Sequence, residues 1–423
     1  MEEGSAASRL RLSSAKRRIA AFIEQIDILA ASSFPHDDGK KALAAIRVHC
    51  KGLQADLDLP PGIRADVIDQ LCLTLLDKVD NFTAILGFIL RSTNVRNPFE
   101  LHYAVKELII RTLGELPLGE EVSLLISSEW SYVPFTYPMN ADQLPGSILI
   151  GTPAPESGNP LLIPLAGHEV GHSAWRVYAF GPRYSLMVSD AVEHALKQNV
   201  KAMQELQTAQ PLGALDKERI IDQCADHVMQ QLEEVFCDLF GLFLFGPAFV
   251  AAFDYLLGPG GHDRTLDYPS DRQRMAFLVA AANDRGIELD QEMVAVWTEA
   301  LPLKADRAEA EIIDAVMSEL VPRMQKDLFD KINRSGFKPP RSDVIDKVLD
   351  AYCRGEPYPN RVELGESVSA GWKRLRQLDV AEFKGRDDEE KERNRAKSYK
   401  VLADLVLKTV EVAEYHDRVD GHA

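Results

Sequence analysis

The sequence is poor in cysteine and lacks the cysteine spacings that mark several common classes of protein. Only five of its 423 residues are cysteine, an odd number at scattered positions without any C-x-x-C pair. Disulfide-rich extracellular domains and thiolate zinc clusters need more cysteines at closer spacing. The pattern therefore predicts free thiols and a reducing, cytoplasmic compartment.

Long apolar runs are also lacking. The most apolar stretch, Leu239 to Phe253, is interrupted by Gly246-Pro247 and is shorter than the roughly 20 residues that cross a bilayer. It predicts a pair of buried core helices. The chain starts with the acidic Met1-Glu2-Glu3 and no apolar segment follows directly, so neither a secretory leader nor membrane insertion is expected.

An excess of positive charge is absent as well. Lys and Arg number 48 against 65 Asp and Glu, which gives a net charge of −17. Repulsion from phosphate backbones and anionic lipid surfaces disfavours both as partners, so no nucleic-acid binding is expected. A chain of this length exceeds the usual size of a single core, and several domains are predicted.

Against this background one short motif carries specific chemistry. His168-Glu169-Val170-Gly171-His172 places two imidazoles four residues apart with a carboxylate beside the first. Residues i and i+4 share one face of a helix, so both rings can reach one metal ion while Glu169 lies near its remaining positions. The motif predicts a Zn²⁺ site for hydrolysis, and two satisfied core histidines are the alternative interpretation.

A catalytic zinc ion commonly takes three protein ligands and keeps a fourth position for water. The segment from about Asp216 to Phe245 reads as a helix, and Glu234 and Asp238 are again four residues apart on it. Glu234 is the predicted third ligand, with neighbouring Glu233 as the alternative. Asp238 is predicted to accept a hydrogen bond from the outer nitrogen of a ligand histidine and so fix its tautomer.

Together, H-E-V-G-H and Glu234-Val235-Phe236-Cys237-Asp238-Leu239-Phe240-Gly241 resemble the gluzincin class of zinc metallopeptidases. The similarity is to members whose third-ligand helix reads E-x-x-A-D-x-x-G, and Cys237 stands where alanine is usual. It spans about Ser147 to Leu278. The resemblance implies a zincin-like core with a small sheet before the metal-binding helix.

A third segment is similar to the H-P-x-x-x-x-R-I element of the CAAX-prenyl-protease and heat-shock-protease branch of that class. It reads Tyr268-Pro269-Ser270-Asp271-Arg272-Gln273-Arg274-Met275, with tyrosine in place of the family's histidine. The resemblance implies that Tyr268 and Arg274 lie near the substrate carbonyl. Arg274, and not Arg272, matches the family spacing.

His227 lies two turns before Glu234 on the same helical face, and a half-buried or capping position is favoured over a place in the substrate pocket.

These motifs predict a zinc metallopeptidase that hydrolyses peptide bonds with a zinc-activated water. Glu169 is its general base, and Tyr268 and Arg274 are further catalytic residues. The expected partner is therefore a protein or peptide substrate. Two alternatives stay open, namely a catalytically silent zinc-stabilised module that binds protein, and a zinc hydrolase that acts on non-peptide substrates.

The rest of the chain reads mostly as helix, and the predicted fold is α+β with helices predominating. Apolar residues recur at helical spacing before about Leu113, where Ser13 or Ser14 is the predicted cap of a helix over 15–31 and Asn97-Pro98 opens another. Three domains are predicted, a helical region over 1–115, a metallopeptidase core over 116–300 and a helical region over 301–423. These helical flanks are also candidate surfaces for a regulatory protein partner.

Two short segments inside the predicted core read as strands, Val122 to Ile126 and Ser147 to Ile150. An aromatic and proline-rich loop separates them, containing Trp130, Tyr132, Phe135 and Tyr137. Ser147 to Ile150 is predicted to be an edge strand able to pair with an extended peptide. The alternative interpretation of this region is that the aromatic side chains simply form the core of a hairpin.

Overall fold

The computed structural model of this chain describes residues 6–93, 97, 99–114, 122–129, 135–136, 144, 146–208, 216–258, 265–299, 308–385 and 387–420. Helices dominate these residues, and three strands form one small sheet, which confirms a mostly helical α+β fold. The chain divides into two compact units, one within residues 1–102 and 115–157 and the other within 103–114 and 158–423. The three predicted domains stay a prediction.

The first unit begins with three helices, α1 (Ala6–Ala30), α2 (Asp37–Asp56) and α3 (Ala65–Ser92). They bury apolar side chains against one another, among them Ile19, Ile46 and Phe82, which are fully inaccessible to solvent. The predicted start of the first helix near residue 15 is wrong. Ser13 and Ser14 lie inside α1 because the helix extends nine residues further towards the N-terminus than its serine pair suggests.

The sheet also belongs to the first unit. Its strands are β1 (Ser123–Glu129), β2 (Phe135–Thr136) and β3 (Ser147–Pro153), in the order β1-β3-β2. Both predicted strands are confirmed, and they pair in parallel from Ser123 with Ser147 to Glu129 with Pro153. The prediction of an edge strand is wrong, because β2 pairs with β3 on its other side at Ile150 and Gly151. Trp130, Tyr132 and Tyr137 lie outside the described residues.

The remaining helices follow in chain order. They are α4 (Glu100–Leu113), α5 (Ala166–Val177), α6 (Phe180–Gln198), α7 (Val200–Thr208), α8 (Lys217–Phe245), α9 (Pro247–Leu257), α10 (Asp271–Arg285), α11 (Gln291–Glu299), α12 (Ala308–Arg334), α13 (Ser342–Arg354), α14 (Leu364–Asp379) and α15 (Asp388–Asp420). All helices from α5 onwards belong to the second unit. The helical character predicted for the chain after residue 300 is confirmed for the residues described there.

Helix α8 is the central element of the second unit, and its sequence fixes both ends. The Asp216 carboxylate accepts a hydrogen bond from the amide of Arg219 at 2.9 Å, an N-cap that satisfies a free donor of the first turn. Gly246 ends the helix with a φ of 56°, a conformation that glycine adopts without strain. Pro247 then begins α9, so the predicted buried helix pair is confirmed. No helix among the described residues combines the length and apolarity of a membrane span.

Candidate metal centre

Helices α5 and α8 approach each other very closely, and small residues permit this. A Cβ atom added to Gly171 would lie 2.6 Å from the Cα of Cys237, and one added to Gly167 would lie 2.9 Å from the Cα of Gly241. Real Cβ atoms do not reach such distances, so neither glycine can be replaced without moving the helices apart. This contact brings the face of α5 that carries the histidines against the face of α8 that carries the acidic residues.

The two imidazoles of the H-E-V-G-H motif meet Glu234 at this contact. Nε2 of His168 lies 3.3 Å from Oε2 of Glu234, and Nε2 of His172 lies 3.8 Å from Oε1 of the same carboxylate. Ligand atoms about 2 Å from a tetrahedral zinc ion are roughly 3.3 Å apart. The Glu234 carboxylate therefore lies close to the Nε2 atoms of both histidines, one oxygen near each ring.

The outer nitrogens of both rings have carboxylate partners. Nδ1 of His168 lies 2.8 Å from Oδ1 of Asp238, and Nδ1 of His172 lies 2.9 Å from Oε1 of Glu233. An ionised carboxylate only accepts hydrogen bonds, so each Nδ1 donates its proton. Nε2 is then the nitrogen that faces Glu234 and would bind a metal ion after losing its own proton. Asp238 has the contact predicted for it, while Glu233, the alternative third ligand, contacts a different atom of His172.

Arg274 completes the polar cluster behind His168. Its Nε and Nη2 atoms donate to the two oxygens of Asp238 at 2.7 and 2.8 Å, and its guanidinium lies over the ring of Phe253. This bidentate pairing aims the guanidinium at a buried carboxylate, and a place near the substrate carbonyl stays a prediction. Arg274 orients Asp238, which in turn orients His168.

Burial and charge favour a cation at His168. Burial alone works against a charged ring, yet hydrogen bonds and attraction from Asp238 and Glu234 raise the pKa of His168 to about 10. The Arg274 guanidinium outweighs burial and holds the pKa of Asp238 down at about 2. The ring therefore lies between two carboxylates that stay ionised, in an environment that stabilises positive charge.

Glu169 follows His168 in the first turn of α5. Only 5% of the residue is exposed. Burial raises the pKa of its carboxyl, while the neighbouring histidines His168 and His172 lower it in part. A carboxylate whose pKa is shifted upwards towards neutrality is better matched to taking up and returning a proton than an exposed one.

Tyr268 lies at the solvent-exposed side of the cluster, with about half of the residue accessible. Burial, together with the negative charge of the Glu234 carboxylate, raises the pKa of Tyr268 to about 12. The phenol therefore stays protonated at neutral pH and can donate a hydrogen bond. Of the two residues predicted near the substrate carbonyl, Arg274 lies 3.4 Å from Nδ1 of His168 through its Nη2 atom, whereas Tyr268 lies on the exposed side of the cluster.

Cys237 offers a competing third ligand. Donor atoms of His168, His172 and Cys237 lie within 4.8 Å of one another. Burial and the nearby carboxylates raise the pKa of the thiol well above its usual value, whereas metal binding requires the thiolate. The thiol is also fully buried beneath Gly171 in the helix contact. Glu234 is therefore the better candidate.

Several contacts of this centre carry no clear signal in the sequence. The hydrogen bond between Glu233 and His172 joins residues 61 positions apart, and only the crossing of the two helices brings them together. The predicted half-buried position of His227 agrees with its contacts to Asp267 and Glu309, at 2.7 and 3.5 Å. Gly167 and Gly171, four residues apart beside the histidines, were the signal for close helix packing.

Comparisons of the chain with family models, with curated proteins and with solved structures find no match.

Proposed function

We propose that this chain is a zinc-dependent metallopeptidase with a zincin-like centre on α5 and α8. The observation that carries the proposal is the meeting of the Nε2 atoms of His168 and His172 with the Glu234 carboxylate, at 3.3 and 3.8 Å. Two imidazoles and one carboxylate form a donor set typical of catalytic zinc. Nδ1 contacts to Asp238 and Glu233 supply the outer hydrogen bonds that such ligands commonly have.

His168, His172 and Glu234 would hold the ion. When bound, zinc supplies a Lewis acid that lowers the pKa of water to about 7 and polarises a carbonyl group. Glu169 is next to a ligand and buried, so it suits the task of taking a proton from the attacking water and passing it to the departing amine. Tyr268 can donate a hydrogen bond to the substrate oxygen as negative charge develops there.

A peptide or protein is the proposed substrate, and the basis for that choice is the resemblance of the three motifs to gluzincin peptidases. Cytoplasmic location is proposed from the thiols, since all five cysteines are free and four of them are buried. The acidic net charge of −17 disfavours nucleic acid as a partner. The helical flanks remain candidate surfaces for a regulatory protein.

The test compares the wild type with Glu169→Gln, which keeps the shape of the side chain and removes its basicity. Metal content is measured by mass spectrometry, and peptide turnover by proteome-wide cleavage profiling. We expect one zinc ion per chain in both proteins, with turnover about 10²–10⁴-fold lower in the variant. The matched control is Glu218→Gln, an exposed residue of the first turn of α8, which should leave turnover unchanged.

A second candidate function is separated by the same measurement. Zinc in both proteins with no peptide turnover in either would favour the silent binding module. Turnover of esters or non-peptide amides, with none of peptides, would favour a different zinc hydrolase. Absence of zinc from the wild type after addition of the ion and dialysis would overturn the proposal altogether.

A further inference from the structure

One face of α8 contacts the segment 265–274 along three helical turns. Residues 227, 231, 234 and 238 are spaced i, i+4, i+7 and i+11, so they lie on the same side of the helix. Asp238 accepts hydrogen bonds from Arg274 of that segment, and the charge of Glu234 acts on the Tyr268 hydroxyl. The other two residues of this face contact the segment as well, although neither belongs to the proposed zinc site.

Gln231 holds the backbone of the segment. Its side-chain amide donates to the carbonyl oxygen of Leu266 at 2.8 Å and to that of Thr265 at 3.4 Å. Only 1% of Gln231 is exposed. This buried amide fixes the path of the backbone because it donates to two consecutive carbonyl groups. If the backbone moved, these groups would lose hydrogen bonds that water cannot replace.

His227 holds the same segment one turn earlier on α8. Nδ1 of His227 lies 2.7 Å from Oδ1 of Asp267, the residue directly before Tyr268. Nε2 of the ring lies 3.5 Å from the Glu309 carboxylate in the first turn of α12. The three residues before Tyr268 are therefore consecutive contacts with α8, Thr265 and Leu266 through Gln231 and Asp267 through His227.

The segment also closes on itself around Tyr268. The amide of Tyr268 donates to Oγ1 of Thr265 at 2.9 Å, and the amide of Thr265 donates to the carbonyl oxygen of Tyr268 at 3.2 Å. After it, Ser270 and Gln273 form a capping box that starts α10. The phenol is thus on a short, internally bonded turn whose position depends on its attachment to α8.

We infer that Gln231 and His227 are positioning residues that dock the 265–270 turn on the ligand helix and so hold the Tyr268 hydroxyl at the mouth of the metal centre. The inference rests on the proposed function for its catalytic consequence. Its structural content, the docking of the turn, is independent of catalysis. Neither residue touches the predicted ligand atoms, so both act through Tyr268.

Amide hydrogen exchange followed by mass spectrometry tests the docking directly on the full-length protein. Gln231→Met keeps the side-chain volume and removes the donor, and His227→Leu removes the ring nitrogens. We expect the amides of residues 265–268 and of Ser270 to exchange at least about tenfold faster in each variant. His227→Asn retains an N–H donor at the position of Nδ1 and should restore most of the protection, and Gln230→Met, on the exposed side of α8, should match the wild type.

Catalysis supplies the second readout. Gln231→Met should lower kcat about tenfold with KM and zinc content unchanged, and this loss should disappear when Tyr268→Phe is already present, because two residues that act through one group are not additive. Unchanged exchange at 265–270 in both Gln231→Met and His227→Leu would overturn the inference, as would an equal kcat loss with and without Tyr268. If the wild type cleaves no peptide, the proposed function fails and the exchange rates alone decide the docking.

Discussion

The two compact units of this chain bury different kinds of side chain. Helices α1, α2 and α3 of the first unit enclose an apolar cluster that includes Ile19 and Phe82. Helices α5 and α8 of the second unit bury Glu169, Glu234 and Asp238 together. Burying a carboxylate is costly unless it is paired or binds a cation. The contrast teaches that α5 and α8 gather buried charge, whereas the first three helices bury mainly apolar side chains.

Asp38 is a buried carboxylate of the first unit, and its hydrogen-bond partners differ in kind from those of the buried carboxylates on α5 and α8. Asp38, 3% exposed, accepts a hydrogen bond from the amide of Leu124 at 3.2 Å and lies 3.2 Å from Nε2 of His102. A backbone amide of the sheet therefore helps to satisfy it. Glu169, Glu234 and Asp238 instead lie around two imidazoles and one guanidinium, which is the arrangement of the candidate metal centre.

The largest expected effect comes from breaking the buried ion pair of the second unit. Asp238→Asn removes the bidentate partner of the Arg274 guanidinium, which is 13% exposed and keeps only a longer contact to Asp271 at 4.0 Å. Loss of one partner of a buried pair typically costs about 3–5 kcal/mol. Chemical denaturation of the two proteins measures the difference in unfolding free energy. The matched control is Asp27→Asn in the first unit, which removes an exposed ion pair with Arg47 and should leave the denaturation midpoint unchanged. Equal losses would erase the distinction between the two regions.

Metal removal should affect the two units unequally. A zinc ion that binds only the folded protein stabilises it by about 4 kcal/mol when the free ion is at 1,000 times its Kd, and chelation removes that stabilisation. Hydrogen exchange should accelerate in α5 and α8 on chelation and stay unchanged in α1, α2 and α3. Identical exchange with and without chelator in α5 and α8 would contradict a metal centre there.

Packing at the helix contact gives an effect of intermediate size. Gly171→Ala places a Cβ atom 2.6 Å from the backbone of α8, and overpacking of this kind costs about 1–3 kcal/mol. Gly52→Ala in α2, where an added Cβ meets nothing within 4 Å, should instead stabilise the protein by roughly 0.5–1 kcal/mol. Thermal unfolding should show a lower melting temperature for Gly171→Ala and a higher one for Gly52→Ala. An unchanged melting temperature in Gly171→Ala would contradict a close contact between α5 and α8.

The smallest expected effect concerns the partner of His172. Glu233→Gln keeps an oxygen that can accept the Nδ1 proton and removes the charge, so zinc affinity should fall about tenfold, which corresponds to roughly 1.4 kcal/mol. Competition with a fluorescent chelator measures this change. Glu233→Ala, which removes the acceptor as well, should weaken binding further, and equal affinity in all three proteins would exclude Glu233 as a partner of the ligand.

Local patterns predicted many elements because their causes are local. The cap at Asp216 and the Gly246-Pro247 break fix α8 and α9 through bonds within a few residues. The helix start predicted at Ser13 and Ser14 was wrong, because packing of the whole helical face outweighs the capping preference of a single residue. The place of Ser147 to Ile150 in the sheet was also wrong, since strand order depends on partners far along the chain.

The sequence by itself determined which groups are available to a metal ion. His168, His172, Glu234 and Asp238 follow from four-residue spacings, because a helix places such residues on one face wherever it lies. Only the tertiary structure decided which atoms meet. Glu233 pairs with His172, Arg274 pairs with Asp238, and Gln231 donates to the turn that carries Tyr268. Those pairings depend on how closely α5, α8 and α10 pack, and the shape of many side chains together sets that distance.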